Sequence, residues 1–81
     1  MNVRVLFFAT ARETAGCASA EISLPERATV AEARGAIARR FPGLEPRLPH
    51  FRFAVDREFA VDGTALHEGA ELAVIPPVSG G

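Results

Sequence analysis

One thiol, two imidazoles and a terminal pair of glycines are the groups in this 81-residue chain with types suited to chemistry. Cys17 is the single cysteine, so it has no disulfide partner within the chain. No histidine or pair of basic residues stands near it in sequence to generate a thiolate. It reads as a small hydrophobe at the start of a strand rather than as a sulfur-carrying nucleophile. His50 and His67 fall in loop segments, without metal-ligand spacing to cysteine or carboxylates, so no metal site is expected. Glu68 and Glu71, close to His67, read as turn and strand-edge charges. There is no phosphate-cradling glycine loop and no nucleophile elbow.

The chemistry that remains is at the end, in "PPVSGG" (76–81). Pro76 and Pro77 favour a stiff, extended backbone and lack the N–H that a sheet needs, so a strand must stop before them. Val78 and Ser79 supply a small anchor and a polar contact. Gly80 and Gly81 carry no Cβ, so they fit a narrow channel and take backbone angles that other residues resist. Five residues beyond Pro76 span at most about 17 Å. The segment reads either as a frayed end or as an arm that delivers a terminal carboxylate to another protein.

A chain of this length forms one domain and buries only about 60% of its unfolded surface. Its hydrophobic fraction of 48% and charged fraction of 23% indicate a packed globule rather than a disordered segment. The net charge of −1 provides no footprint for nucleic acid or an anionic membrane surface. No apolar run approaches the roughly 20 residues of a membrane span. "MNVRVLFFATARE" meets charge too early for a signal peptide, so a cytoplasmic location is expected. All nine basic residues are arginine, and lysine is absent.

The expected division is a folded domain over 1–75 and an extended tail over 76–81. "NVRVLFFA" (2–9) reads as a strand with Val3, Val5 and Phe7 on one face and Arg4, Leu6 and Phe8 on the other. Burying an unpaired arginine is costly, so the Arg4 face is the outer one. "TARETAG" (10–16) has the makings of a helical turn, and "CASAEISLP" (17–25) is a second strand completing a hairpin. "ATVAEARGAIARRFPG" (28–43) is a helix, with a Thr29/Glu32 capping box and a stripe of Val30, Ala33, Ile37 and Phe41. Gly35 within it points to close packing. After an irregular "EPRLPH" (45–50), strands follow at 51–55 and 58–61 around an Asp56-Arg57 turn. The last strand, 71–76, places Leu72 and Val74 on one face and Ala73 and Ile75 on the other. The order β-β-α-β-β-β is that of an α+β, β-grasp (ubiquitin-like) fold: a mixed sheet of about five strands with one main helix packed on one face.

"VRVLFFATARETAG" (3–16), "FAVD" (53–56) and "GAELAVIPPVSGG" (69–81) together resemble the small, sulfur-carrier subunit of molybdopterin synthase, across nearly the whole chain. Asp56 stands where that family commonly has asparagine. The resemblance implies that an E1-like adenylating enzyme uses ATP to activate the Gly81 carboxylate. A sulfur donor protein then converts it to a thiocarboxylate. The tail, Gly80 included, would enter the large subunit, whose groups pass the sulfur to a cyclic pyranopterin precursor. By the same resemblance, this chain binds no cofactor itself and works in a heterotetramer.

On that reading Leu6, Phe8, Phe59, Ile75 and the tail residues Pro76, Pro77, Val78 and Ser79 meet the partner. The other reading for Phe59 is that it packs under the "TALHEG" loop (64–69). Arg12, Glu13 and Arg57 read as solvated charge or as rim contacts. Three alternatives stand beside the family reading. One is a carrier for thiamine-type thiazole synthesis, another a protein modifier joined through Gly81, and the third a plain interaction domain.

Overall fold

A computed structural model describes residues 1–77. Val78, Ser79, Gly80 and Gly81, expected to form the end of the tail, lie outside the described residues. The described residues form five strands and two α-helices: β1 (Asn2–Phe7), α1 (Ala9–Ala15), β2 (Ser19–Ser23), α2 (Val30–Arg40), β3 (Arg52–Val55), β4 (Glu58–Ala60) and β5 (Glu71–Ile75). The strands form one sheet in the order β2-β1-β5-β3-β4. β1 and β5 run parallel at its centre, with Val5 opposite Leu72 and Phe7 opposite Val74. The remaining neighbours are antiparallel. This is the β-grasp arrangement expected from the element order.

Alternation sorts the strands into two faces. Val3, Val5, Phe7, Phe53, Leu72 and Val74 are buried with Val30, Ala33 and Ile37 of α2 in one apolar cluster. Phe41, at the end of the α2 stripe, is half-buried and meets Phe7 edge-on, with ring centroids 5.0 Å apart.

The start of α2 is fully accounted for. Thr29 accepts from the Glu32 N–H and Glu32 accepts from the Thr29 N–H, so the capping box is formed. The next free donors go to the chain after β4: Val30 N–H to the Thr64 carbonyl and Ala31 N–H to that of Asp62. Arg34 pairs with the Asp62 carboxylate on the same side and lies over the Phe53 ring. These bonds fasten the 62–66 segment to α2, on the covered side of the sheet.

Several expectations change in detail. The stretch between the first two strands is a helix of 7 residues, α1, rather than a single turn, so a second helix accompanies the main one. It ends as expected at Gly16, whose φ of 78° is left-handed and whose N–H reaches the Arg12 carbonyl. Residue Cys17 precedes β2 rather than belonging to it, half-buried against the core. α2 is shorter at both ends than 28–43; Pro42–Leu44 continues as a 3-10 turn. The 45–50 connection is not wholly irregular, since Leu48–His50 forms another such turn and buries Leu48. Gly35 has no close-packing role: a Cβ there would meet only the Arg39 side chain, at an ordinary 3.6 Å. The tight glycine is Gly43, where a Cβ would come within 3.1 Å of Thr14 on α1.

Candidate functional site: the open face of the sheet

The face opposite α2 is uncovered among the described residues, and alternation decides what it shows. β1 contributes Leu6, β3 Ala54 and β5 Ala73, side by side through the pairs Leu6–Ala73 and Ala54–Ala73. Phe59 on β4 lies opposite Ala54 and extends this row to the sheet edge. Phe8, just beyond β1, and Ile75 stand at the end from which the tail departs. With Arg57 and Glu71 at the other end, these residues line an open groove of about 430 Å³. The small side chains of Ala54 and Ala73 form its floor, and the larger apolar groups its walls.

All four sheet residues expected on this face line the groove together: Leu6, Phe8, Phe59 and Ile75. Phe8 is 47% exposed and Phe59 is 69% exposed, so Phe59 does not pack under the 64–69 loop. The first half of that loop is held at the start of α2 instead, through the Thr64 carbonyl and the Leu66 N–H. Arg52 covers part of the Phe59 ring, its guanidinium carbon 5.4 Å from the centroid. Val61, just beyond β4, is another exposed apolar side chain at 74%. Pro76 is half-buried and Pro77 exposed where the chain leaves β5.

The clasp behind the charged end of the groove was not foreseen. Val55 pairs with Glu58, and the two residues between them, Asp56 and Arg57, have φ of 49° and 73°. This double left-handed turn suits the twist of a hairpin and normally uses Asn-Gly. With arginine at its second position it costs roughly 1 kcal/mol or more. Asp56 offsets that cost with a clasp. Its N–H donates to the Glu71 carbonyl at 2.9 Å, and its Oδ1 accepts the Glu71 N–H at 3.0 Å. His67 Nε2 donates to Asp56 Oδ2 at 2.6 Å, while His67 Nδ1 faces the Glu68 carbonyl at 3.0 Å.

Both imidazole nitrogens therefore face acceptors, an arrangement only the doubly protonated ring satisfies. The Asp56 hydrogen bond, followed by the Glu68 carbonyl, raises the His67 pKa. In return the His67 bond, followed by the Glu71 N–H, lowers that of Asp56. His67 and Asp56 are 11 residues apart, and no local pattern announces the pair. Glu68 is likewise not a bare surface charge, for its Oε1 accepts the Asn2 N–H at 2.9 Å. Ala54 and Ala73 were legible in principle, because strand parity places both on the open face.

Among the described residues, no three His, Cys, Asp or Glu side chains gather into a metal-holding group. No described helix is long and apolar enough to cross a membrane. What the site presents is an apolar surface with a charged rim at one end and the exit of the chain from β5 at the other.

Known proteins share this form over their full lengths. The human molybdopterin synthase sulfur carrier subunit is 39% identical over 83 residues, covering 99% of this chain and 94% of that protein. The crystal structure of SAMP1 from Haloferax volcanii superposes with a TM-score of 0.93 at 32% identity, each chain covered completely. A chain from the complex of subunits 1 and 2 of molybdopterin-converting factor of Helicobacter pylori matches with a TM-score of 0.72 at 26% identity, again over 100% of both. The sequence pattern of the ThiS family matches residues 5–81. With its β-grasp sheet and full-length relatives, the chain belongs to the ThiS family.

Proposed function

We propose that this chain is the sulfur-carrier subunit of molybdopterin synthase. The supporting observation is similarity across nearly the whole of this chain to sulfur carrier subunits from several eukaryotes, at 32% identity for Arabidopsis thaliana and 39% for Homo sapiens. On this reading an E1-like enzyme transfers AMP from ATP to the Gly81 carboxylate. A carboxylate is a poor acyl donor, and the adenylate gives sulfur from a donor protein a good leaving group to displace. The resulting thiocarboxylate travels on the 76–81 arm into the large subunit. There its sulfur goes to a cyclic pyranopterin precursor, and the catalytic groups come from the large subunit. The open groove docks that subunit and, in turn, the activating enzyme. Its apolar walls end where the arm begins, so docking and delivery are set by one face.

The test is the intact mass of the chain purified from its own cells. A fraction heavier by the difference between sulfur and oxygen is expected, absent when Gly81 is deleted. A chain with no sulfurated form in cells making the cofactor overturns the reading.

A second reading has its own support. The chain is also similar to small archaeal modifier protein 1 of Haloferax volcanii, with a TM-score of 0.89 at 30% identity. As a modifier the chain would be joined through Gly81 to amines on target proteins. The absence of lysine excludes lysine-linked chains of the modifier itself. Amide conjugates detected without any sulfurated form would favour this reading over the carrier.

A further inference from the structure

We propose that Arg57 is a specificity-determining contact, held at the mouth of the groove to engage a carboxylate on the large subunit that covers this face. The inference rests on the large-subunit reading given above.

Four observations lead to it. The second position of this turn is one where glycine is the unstrained choice, yet it holds arginine at φ 73°. Backbone strain persists where surrounding bonds over-determine it, and residues held that way cluster at functional contacts. Here the over-determination is visible: two bonds join Asp56 to the Glu71 backbone, and a third joins it to His67. The strained residue also faces the site, for Arg57 lines the groove together with Phe59 and Leu6.

Its charge is also left available. The Arg57 side chain is 90% exposed, and its ion pair is a long one, Nε to Glu71 Oε1 at 4.0 Å. A guanidinium in this state keeps its forked terminal donors for a planar carboxylate partner. Arg52, by contrast, lies over the Phe59 ring, and Arg34 is paired with Asp62. The occupant that fits is thus a protein surface with an apolar centre for the groove and an acidic side chain at the β3–β4 turn. The Glu71 carboxylate nearby repels a misplaced acidic group, which sharpens the register.

The test is the affinity of the full chain for its large subunit at low and high salt, with thermal melts of the same proteins. Arg57→Gly removes the charge and the strain together. It is expected to melt no lower than the parent and to bind about five- to tenfold more weakly at low salt, largely through slower association. The difference should shrink as salt rises. Arg57→Glu is expected to bind more weakly still. If Arg57→Gly binds as tightly as the parent at low salt while the parent itself binds, this proposal alone is overturned. A parent chain that does not bind the large subunit overturns the reading on which it rests.

Discussion

The Asp56 carboxylate accepts the backbone N–H of Glu71 at 3.0 Å, tying the β3–β4 turn to the first residue of the strand that leads to the tail. The same carboxylate takes the Nε2–H of His67, so one side chain joins three separate segments.

That junction should give the fold a characteristic pH dependence. His67 has a raised pKa in the folded state, so its contribution is fully present below about pH 6.5 and is lost as the pH rises through the folded value. Asp56 is shifted down, so its contribution is present above about pH 3.8 and is lost as the pH falls through its folded value. The stability difference between the parent and His67→Ala is therefore expected to be larger at pH 5 than at pH 8. Denaturant melts at the two values measure it. A difference that does not change with pH would show that the pair carries no charge-dependent stability.

Phe59→Asp changes a groove wall that is largely in water, and Phe8→Asp one that is about half exposed. Each should shift stability by no more than about 1 kcal/mol. Each should also weaken large-subunit binding by about tenfold or more, equivalent to roughly 1.4 kcal/mol. Calorimetric titration beside a thermal melt separates the two effects. Undiminished affinity in both variants would remove the groove from the interface.

Ile37 is fully buried at the centre of the α2 stripe. Replacing it with alanine should cost about 2–5 kcal/mol, through lost transfer energy and the cavity left behind. For a domain of this size each 1 kcal/mol lowers the melting temperature by about 4–8 °C. A drop below that of a single kcal/mol would mean that the helix settles onto the sheet and fills the space.

Thr29→Ala removes one half of the capping box and leaves the Glu32 N–H without its side-chain acceptor. The expected loss is about 1 kcal/mol. Because Val30 and Ala31 keep their bonds to the Thr64 and Asp62 carbonyls, the helix should keep its length. Amide exchange in the first turn of α2 tests this directly, and fraying beyond Glu32 would contradict it.

Much of this arrangement was legible from strand parity. The position of Arg4 was enough to turn Leu6 and Phe8 outward, and the Ala73–Ile75 face followed from alternation in β5. Phe8, one aromatic wall of the groove, was found in this way, while Phe59 came with the family resemblance. The clasp at the groove's charged end was legible in neither way, because the Asp56–His67 bond joins segments that only the β3–β5 pairing brings together. The second helix was also underestimated. "TARETA" is too short to show a helical stripe, and α1 buries only Ala11 of its own residues. Gly35 misled for the opposite reason: glycine in a helix signals close packing only when something lies against it, and here that place is open. Gly43, read only as part of a helix stop, is where the chain passes close to α1.

The central pairing of β1 with β5 joins the first and last strands of the described residues. Until Glu71–Ile75 has been synthesised, β1 lacks one neighbour and β3 has no bridge to the rest of the sheet. A nascent or truncated chain that stops short of β5 has both helices and both hairpins but no single sheet to hold them together. The sheet therefore closes only when β5 is in place, and a cut that removes Glu71–Ile75 separates the β1–β2 hairpin from the β3–β4 hairpin.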